Sequence, residues 1–303
     1  MIYDSIIIGA GPAGITAAVY AARKGMKIAV LSKDIGGQVS KTSVVENYTG
    51  YREITGLELV KKFNEHLQKY NFDYKPTEVK SIKKSSEIFE IETSLEKFQS
   101  KTVIIASGAK PRELNVPGEK EFKNKGVTYC ATCDAPLFHD KEVAIIGGGN
   151  SALEASLELT TIARKVYIIN RNSKFSGDKI LADKLEKNKN VKIFHNSEVI
   201  EISGNRFTEG LTFSQNKKNG NISVQGIFVE IGFVPNTKFI ENLLRLNSKN
   251  EIIIDNGCCS STPGIFAAGD CSDIPFKQIV IAAGSGATAA LSAFKYLTKS
   301  KIA

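Results

Sequence analysis

At 303 residues the chain is long enough for about two domains, each with its own core. Its 42% hydrophobic and 24% charged residues are ordinary for a soluble globular protein, no apolar run reaches the ~18 residues of a membrane span, and five cysteines are too few for a secreted disulfide framework. The net charge of +8 is spread over runs such as Lys83-Lys84, Lys217-Lys218 and Lys299-Ser300-Lys301, which read as solvated turns and ends, without the aromatic interleaving of a nucleic-acid surface.

The chain enters a strand at once, Ser5-Ile6-Ile7-Ile8, with no leader pattern, so the expectation is a cytoplasmic protein that binds neither nucleic acid nor membrane. Gly9-Ala10-Gly11-Pro12-Ala13-Gly14 follows, then an alanine-rich helix from Ile15 to Lys24 and a strand from Lys27 to Leu31. A GxGxxG match acquires meaning in this strand–turn–helix–strand order. Gly9 makes the tight turn, Gly11 admits a pyrophosphate to the backbone and Gly14 lets the helix pack on the strand. The acidic residue usual after the second strand is missing, since Ser32 and Lys33 stand there. Gly36-Gly37-Gln38 is a tight backbone feature able to approach a flavin ring. Between Ser81 and Lys101 the alternation Ile88-Phe89-Glu90-Ile91-Glu92-Thr93 predicts an antiparallel hairpin.

Cys130-Ala131-Thr132-Cys133 comes next, followed at once by Asp134. A CxxC is half a zinc site, a buried inert pair or a redox dithiol. No second pair with ligand spacing exists and His139 has nothing to complete a set, which favours the dithiol. Asp134 is a turn residue or the acid that carries a thiol proton. A second nucleotide grammar then runs from strand Glu142–Ile146 through Gly147-Gly148-Gly149-Asn150-Ser151-Ala152 to a helix ending at Ile162 and a strand Lys165–Ile169. Gly147 and Gly149 take the first two glycine roles and Ala152 the close-packing role. Near the C-terminus, Gly264-Ile265-Phe266-Ala267-Ala268-Gly269-Asp270 is a short apolar strand whose Asp270 can reach a ribityl hydroxyl or cap a helix. A small-residue helix from Gln278 to Leu297 follows.

Pieces of one flavin site thus lie at both ends of the chain, and the second nucleotide unit is inserted into the first. The expected fold is α/β: two Rossmann-like dinucleotide-binding domains, the second inserted into the first, with antiparallel β-hairpin additions. The crossings lie in Pro111–Gly118 and Gly232–Asn236. The domains are 1–112 with 240–303 for FAD, and 113–239 for the pyridine nucleotide and the CxxC.

On these motifs, together with Glu46-Asn47-Tyr48, Ala106-Ser107-Gly108-Ala109 and Lys277-Gln278, the chain resembles the low-molecular-weight thioredoxin reductase family over essentially its whole length. Gly226–Gly232, Glu251–Asp255 and Ala268–Cys271 are similar also to the flavoprotein subunit of alkyl hydroperoxide reductase. That subunit's N-terminal thioredoxin-like region is not seen here, which favours the stand-alone reductase. The resemblance implies a homodimer with FAD held by Gly9, Gly11, Pro12, Ala13, Gly14, Gly37, Gln38, Asn47, Ala106, Gly108, Gly269, Asp270, Lys277, Gln278 and Ile279. It implies NAD(P)H on Gly147, Gly149, Asn150, Ser151, Ala152 and Arg171. Cys133 would take electrons from the flavin, Cys130 would attack the partner's disulfide and Asp134 would move the thiol proton. A rotation of the inserted domain is implied as well.

One segment departs from the family. NADPH-using members carry HRRxxxR after the second strand of the inserted domain, whereas this chain has Asn170-Arg171-Asn172-Ser173-Lys174-Phe175-Ser176. Losing two guanidinium groups weakens the grip on a 2′-phosphate, yet Asn170 is no acid for a free ribose hydroxyl. NADH, or use of both nucleotides, is expected. The partner is expected to be thioredoxin or a thioredoxin-like protein. Alternatives are a peroxiredoxin system served through a glutaredoxin-like carrier, a small-molecule dithiol oxidase, and a flavoprotein that uses another donor or senses redox state as a binding protein. Cys258-Cys259 read as reduced thiols, Cys271 as packing, and His66, His139 and His195 as surface or helix residues.

Overall fold

The computed structural model describes residues 1–42, 45–240 and 242–299, so Ser300 and Lys301 of the last basic run lie outside the described residues. The chain forms two compact units, Met1–Lys110 with Val234–Ala303, and Pro111–Phe233. The second division, Phe233/Val234, falls within the expected crossing Gly232–Asn236, whereas the expected domain bounds stood at 112/113 and 239/240. Residues 234–239 belong instead with the first unit, because their polar groups are bonded there. The Asn236 amide donates to the Gly108 carbonyl at 2.9 Å, the Ser107 hydroxyl to the Asn236 carbonyl at 2.7 Å and the Thr237 hydroxyl to the Asn250 carbonyl at 2.9 Å.

The first unit opens with β1 (Ile2–Ile8), α1 (Pro12–Arg23), β2 (Ile28–Ser32), α2 (Gly56–Leu67) and β3 (Asp73–Pro76), then β4 (Val79–Ser85), β5 (Ile88–Thr93), β6 (Lys97–Ile105) and β7 (Ala109–Pro111). Ile6 and Ile7 are wholly buried because β1 lies between β2 and β6, parallel to both and covered on both faces. Pro12 starts α1 where its missing N–H costs nothing, and Thr55 with Glu58 forms a capping box on α2. The expected hairpin is a three-stranded meander. Phe89 and Ile91 point into the core while Glu90 and Glu92 point out, and β5 pairs antiparallel with both β4 and β6.

The second unit contains β8 (Val127–Thr128), α3 (Ala131–Asp134), β9 (Glu142–Ile146), α4 (Asn150–Leu159), β10 (Lys165–Ile169), α5 (Lys179–Glu186) and β11 (Val191–Phe194). A second layer follows in β12 (Ser197–Gly204), β13 (Thr208–Gln215) and β14 (Lys218–Ser223), before β15 (Gly226–Val229) returns to the main sheet. That sheet runs β11-β10-β9-β15-β8, all parallel, so strand order reverses beside β9. The crevice at the carboxyl ends of β9 and β15 is the place where this architecture binds ligands. The β12–β14 meander has no counterpart in the sequence reading. Its tight turn, Asn216-Lys217, has both residues at positive φ between the paired Gln215 and Lys218, the two-residue turn that suits strand twist.

β16 (Phe233–Pro235) carries the chain across the division, and the first unit then adds β17 (Ile265–Ala267) and α6 (Ile279–Lys299). β6 is long enough to be shared: its first residues pair with β5 and Val103–Ile105 pair with β17. Among the described residues α6 is one helix long and apolar enough to cross a membrane by length and composition. Its small face, Ala282, Ser285, Gly286, Ala289, Ala290 and Ala293, is buried, and Gly286 has no room for a Cβ because Ala13 of α1 would lie 2.1 Å from it.

Candidate functional site

The first glycine loop has one open position between two closed ones. A Cβ on Gly9, at φ +106°, would meet the Ala106 carbonyl oxygen at 2.2 Å, and one on Gly14 would meet the Gly9 carbonyl oxygen at 1.8 Å. Gly11 faces nothing within 4 Å, and no side chain caps α1. Pro12 and Ala13 begin the helix behind this gap. The loop therefore offers free backbone to an anion, as a pyrophosphate needs. The Gly36 amide donates to the Ala10 carbonyl at 2.7 Å, and a Cβ on Gly37 would lie 3.5 Å from Gly11 Cα, which draws Gly36-Gly37-Gln38 onto the same loop.

Distant residues converge there. Gln38 Nε2 donates to the Ala109 carbonyl at 2.7 Å, and Gly108 stands at φ +67° with open space where a Cβ would be. Asn47 Nδ2 donates to Gln278 Oε1 at 3.2 Å, just ahead of Ile279, the first residue of α6. Gly269 lies against Ala13, its amide bonded to the Ser285 hydroxyl at 3.0 Å. Asp270 follows on the short 3₁₀ turn Gly269–Cys271. Burial raises its pKa against the opposing charge of Lys277, and no hydrogen bond among the described residues reaches its carboxylate. A ligand hydroxyl suits that position. Lys277 is committed within the protein, to the Ser272 carbonyl at 2.6 Å and Glu251 at 2.9 Å. The residues present fit a dinucleotide such as FAD.

In the second unit Gly147, at φ +148°, fits because a Cβ would strike the Glu230 carbonyl at 2.4 Å and Ala152 at 2.9 Å. Gly149 is open, its nearest neighbour being Ser176 Oγ at 3.8 Å, and α4 has no side-chain cap. Asn150 Oδ1 accepts from the Asp178 amide at 2.6 Å and so ties the loop to α5. The segment after β10 is arranged around Asn170. Its Nδ2 lies 3.1 Å from the Asn172 carbonyl, 3.0 Å from the Lys174 carbonyl and 3.0 Å from His195 Nδ1, and its Oδ1 accepts from the Asn172 amide at 3.2 Å. Asn170 is therefore a scaffold for its loop. His195, expected on a surface or helix, is half-buried in the loop after β11 with its ring edge-on to Phe175. Arg171 is exposed, 3.9 Å from Glu198.

Cys130 and Cys133 are joined in a disulfide with Cα atoms 5.3 Å apart, an ordinary separation. The ring sits at the start of α3, where Ala131 and, from the 3₁₀ helix that follows, Ala135 and Phe138 are packed into the core, with Phe138 edge-on to Phe228 at 5.1 Å. Asp134 belongs to the same turn. Burial raises its pKa, and a hydrogen bond donated by Thr128 opposes that rise. The Thr128 hydroxyl also accepts from the Cys130 amide at 3.3 Å, so one side chain touches the carboxylate and the backbone of the first cysteine. Glu119, 1% exposed, accepts from the Leu114 and Asn115 amides at 2.7 Å each and from the Tyr129 hydroxyl at 2.9 Å, which fixes the residue before Cys130. Glu230, 8% exposed, accepts from the Ala131 amide at 3.3 Å and the Ser151 hydroxyl at 2.5 Å.

Thr128, Glu119 and Glu230 were missed in the sequence. The available signal was a lone acid closing the buried run Gly226–Val229. Cys258, Cys259 and Cys271 are free thiols. Burial pushes Cys258 up to about 11 and raises the other two, so all are held protonated.

A family model described as pyridine nucleotide-disulphide oxidoreductase matches residues 3–286. The chain is 41% identical to an NADH dehydrogenase of Bacillus subtilis over 302 residues, covering 98% of this chain and 59% of that protein. It is likewise 41% identical to an alkyl hydroperoxide reductase subunit of Escherichia coli over 309 residues, covering 99% and 59%. The chain thus spans about three-fifths of the length of the curated relatives it matches. Among solved structures, thioredoxin reductase from Streptococcus pyogenes superposes with a TM-score of 0.93 at 37% identity, covering 98% of this chain and 99% of that one.

Proposed function

The chain belongs to the pyridine nucleotide-disulphide oxidoreductase family, and from that premise we propose that it is a flavin-dependent reductase of protein disulfides of the thioredoxin type. The observation that carries this is the Cys130–Cys133 disulfide on a turn that also holds a buried carboxyl, Asp134, in a unit with its own open glycine loop. The FAD-binding role belongs to the first unit and the pyridine-nucleotide role to the second.

When bound, FAD and the nucleotide supply the two electrons that open the Cys130–Cys133 disulfide. The chain's own residues do the rest. The Cys130 thiolate attacks one sulfur of the partner's disulfide, forming a mixed disulfide while the partner's other sulfur leaves and takes a proton. Cys133 then attacks Cys130, closing the ring and releasing the second partner sulfur. Asp134 takes up and returns the proton that these steps displace. Its raised pKa keeps that proton exchangeable nearer neutral pH than an ordinary carboxyl would.

NADH, or both nucleotides, is the proposed reductant. Asn170 is occupied within its loop and Arg171 is the one arginine of that segment, which supports weak selection for a 2′-phosphate. The Bacillus subtilis relative's name, NADH dehydrogenase, points the same way. A second reading, electrons delivered to a peroxiredoxin through a thiol carrier, is favoured by the similarity to the Escherichia coli alkyl hydroperoxide reductase protein. A cytoplasmic homodimer is proposed from the resemblance. Anaerobic mixing with each nucleotide tests the scheme: the flavin bleaches with NADH at least as efficiently as with NADPH, and added thioredoxin disulfide is then reduced. Cys133→Ser keeps the bleaching and loses thioredoxin reduction. A hundredfold preference for NADPH overturns the nucleotide reading, and thioredoxin reduction by Cys133→Ser overturns the dithiol assignment.

A further inference from the structure

Glu230 lies between the two functional loops of the second unit and touches both. One carboxylate oxygen accepts from the Ala131 amide, which is inside the ring closed by Cys130 and Cys133. The other accepts from the Ser151 hydroxyl in the first turn of α4, next to Gly149 and Asn150. Its own amide donates to the Ile146 carbonyl at 2.8 Å, and its carbonyl packs over Gly147. That places it where β9 and β15 end and strand order reverses, the crevice in which a nucleotide lies.

We propose that Glu230 is a positioning residue that couples occupancy of the second nucleotide loop to the thiol–disulfide equilibrium of Cys130 and Cys133. The proposal rests on the reading of that loop as a pyridine-nucleotide site.

The physical argument concerns one shared donor. Ser151 has a single hydroxyl hydrogen, and in the free protein it points at Glu230. A phosphate on the loop is an anion beside the same hydroxyl and competes for that hydrogen. Once the hydroxyl turns away, the buried carboxylate keeps the Ala131 amide as its remaining donor. Its charge is then less neutralised, against the backbone of the ring that the two cysteines close. A negative field there disfavours the thiolate of the reduced pair. Nucleotide binding therefore moves the equilibrium toward the disulfide, and by reciprocity the disulfide form binds nucleotide more tightly. The other charged group acting on Glu230 is Glu158 on α4, which adds to the negative field.

The test equilibrates the purified full chain anaerobically with mixtures of reduced and oxidised dithiothreitol. Two electrons and two protons pass from dithiothreitol to the Cys130–Cys133 bond as the reagent closes its own ring. Alkylation at quench and mass spectrometry then read the fraction of the pair reduced, with and without saturating NAD⁺ or NADP⁺, neither of which can donate electrons. In the unmodified protein the nucleotide lowers the equilibrium constant for reduction about fivefold or more, the lower end of ordinary couplings. Glu230→Gln, which keeps the shape and removes the charge, abolishes that shift while still binding the nucleotide by calorimetry. Ser151→Ala abolishes it as well. The double variant gives the same constant as Glu230→Gln alone, because Ser151 acts only through the Glu230 charge.

A shift that survives in Glu230→Gln overturns the coupling. Equal constants with and without nucleotide in an unmodified protein that binds the nucleotide also overturn it, and leave the site reading intact. Absence of binding in the unmodified protein overturns the site reading and the coupling together.

Discussion

Replacing Thr128 with Val removes one hydroxyl from the redox turn at nearly constant shape, and its consequences follow from two contacts. Thr128 donates to the Asp134 carboxylate and accepts from the Cys130 amide. A hydrogen bond to a charged group contributes about 1.5–3 kcal/mol. Its loss removes the one contribution that lowers the Asp134 pKa, which rises further above its already raised position. The limb of the pH–rate profile for disulfide exchange that belongs to Asp134 therefore moves upward. Stopped-flow reduction of thioredoxin disulfide by the prereduced protein, between pH 5 and 9, reads the limb directly. The stability sign can be worked out separately. Asp134 has a folded pKa raised by burial, so its protonated form favours folding. That stability is fully present below the ordinary carboxyl pKa of about 3.9 and is lost as pH rises through the folded value. Thr128 limits the loss by stabilising the ionised carboxylate. Thr128→Val consequently costs about 1.5–3 kcal/mol in urea unfolding where Asp134 is ionised, and that cost fades as pH falls through the Asp134 pKa. A limb that stays in place or moves downward refutes the reasoning, as does a stability cost that is the same at acid and neutral pH.

Other substitutions separate space from chemistry. Gly14→Ala puts a methyl 1.8 Å from the Gly9 carbonyl oxygen, so α1 must move off β1; an unfolding cost of about 1–3 kcal/mol and loss of bound flavin from the purified protein are expected. Gly11→Ala points its methyl into open space, so the thermal midpoint of the flavin-free protein stays unchanged while flavin affinity falls in a fluorescence titration. Asn170→Asp places a carboxylate against the Asn172 and Lys174 carbonyls; kcat/KM falls at least tenfold for NADH and NADPH alike, and improved use of NADH would count against Asn170 as a scaffold.

The parts of this molecule legible in the sequence are those in which the physics is local. Gly9, Gly14 and Gly147 announce themselves because a backbone atom lies where a Cβ would be, and Cys130 and Cys133 because a disulfide across two residues needs only one turn. The β12–β14 meander escaped notice because its outer strand Lys218–Ser223 has almost no apolar alternation, and only the positive φ of Asn216 and Lys217 marks its turn. The expected domain bound at 239/240 lies beyond the observed division because Asn236 and Thr237 are held by Gly108 and Asn250, partners that no local pattern names.

The same division runs through the chemistry. The proposed path for electrons rests on short motifs, two cysteines and two glycine loops. The proposed path for protons is tertiary: burial raises the Asp134 pKa, Thr128 opposes that rise, and the ring amide meets a carboxylate 99 residues away in sequence. A CxxC with a following acid is thus enough to infer that the turn exchanges electrons, but not at what pH or under whose control. Those properties belong to Thr128 and Glu230, which have no motif because either would be an ordinary residue on any other strand end. Of the two, Glu230 matters more, since a buried carboxylate with one donor from the redox turn and one from the nucleotide loop cannot change its charge or its bonding on one side without the other side responding.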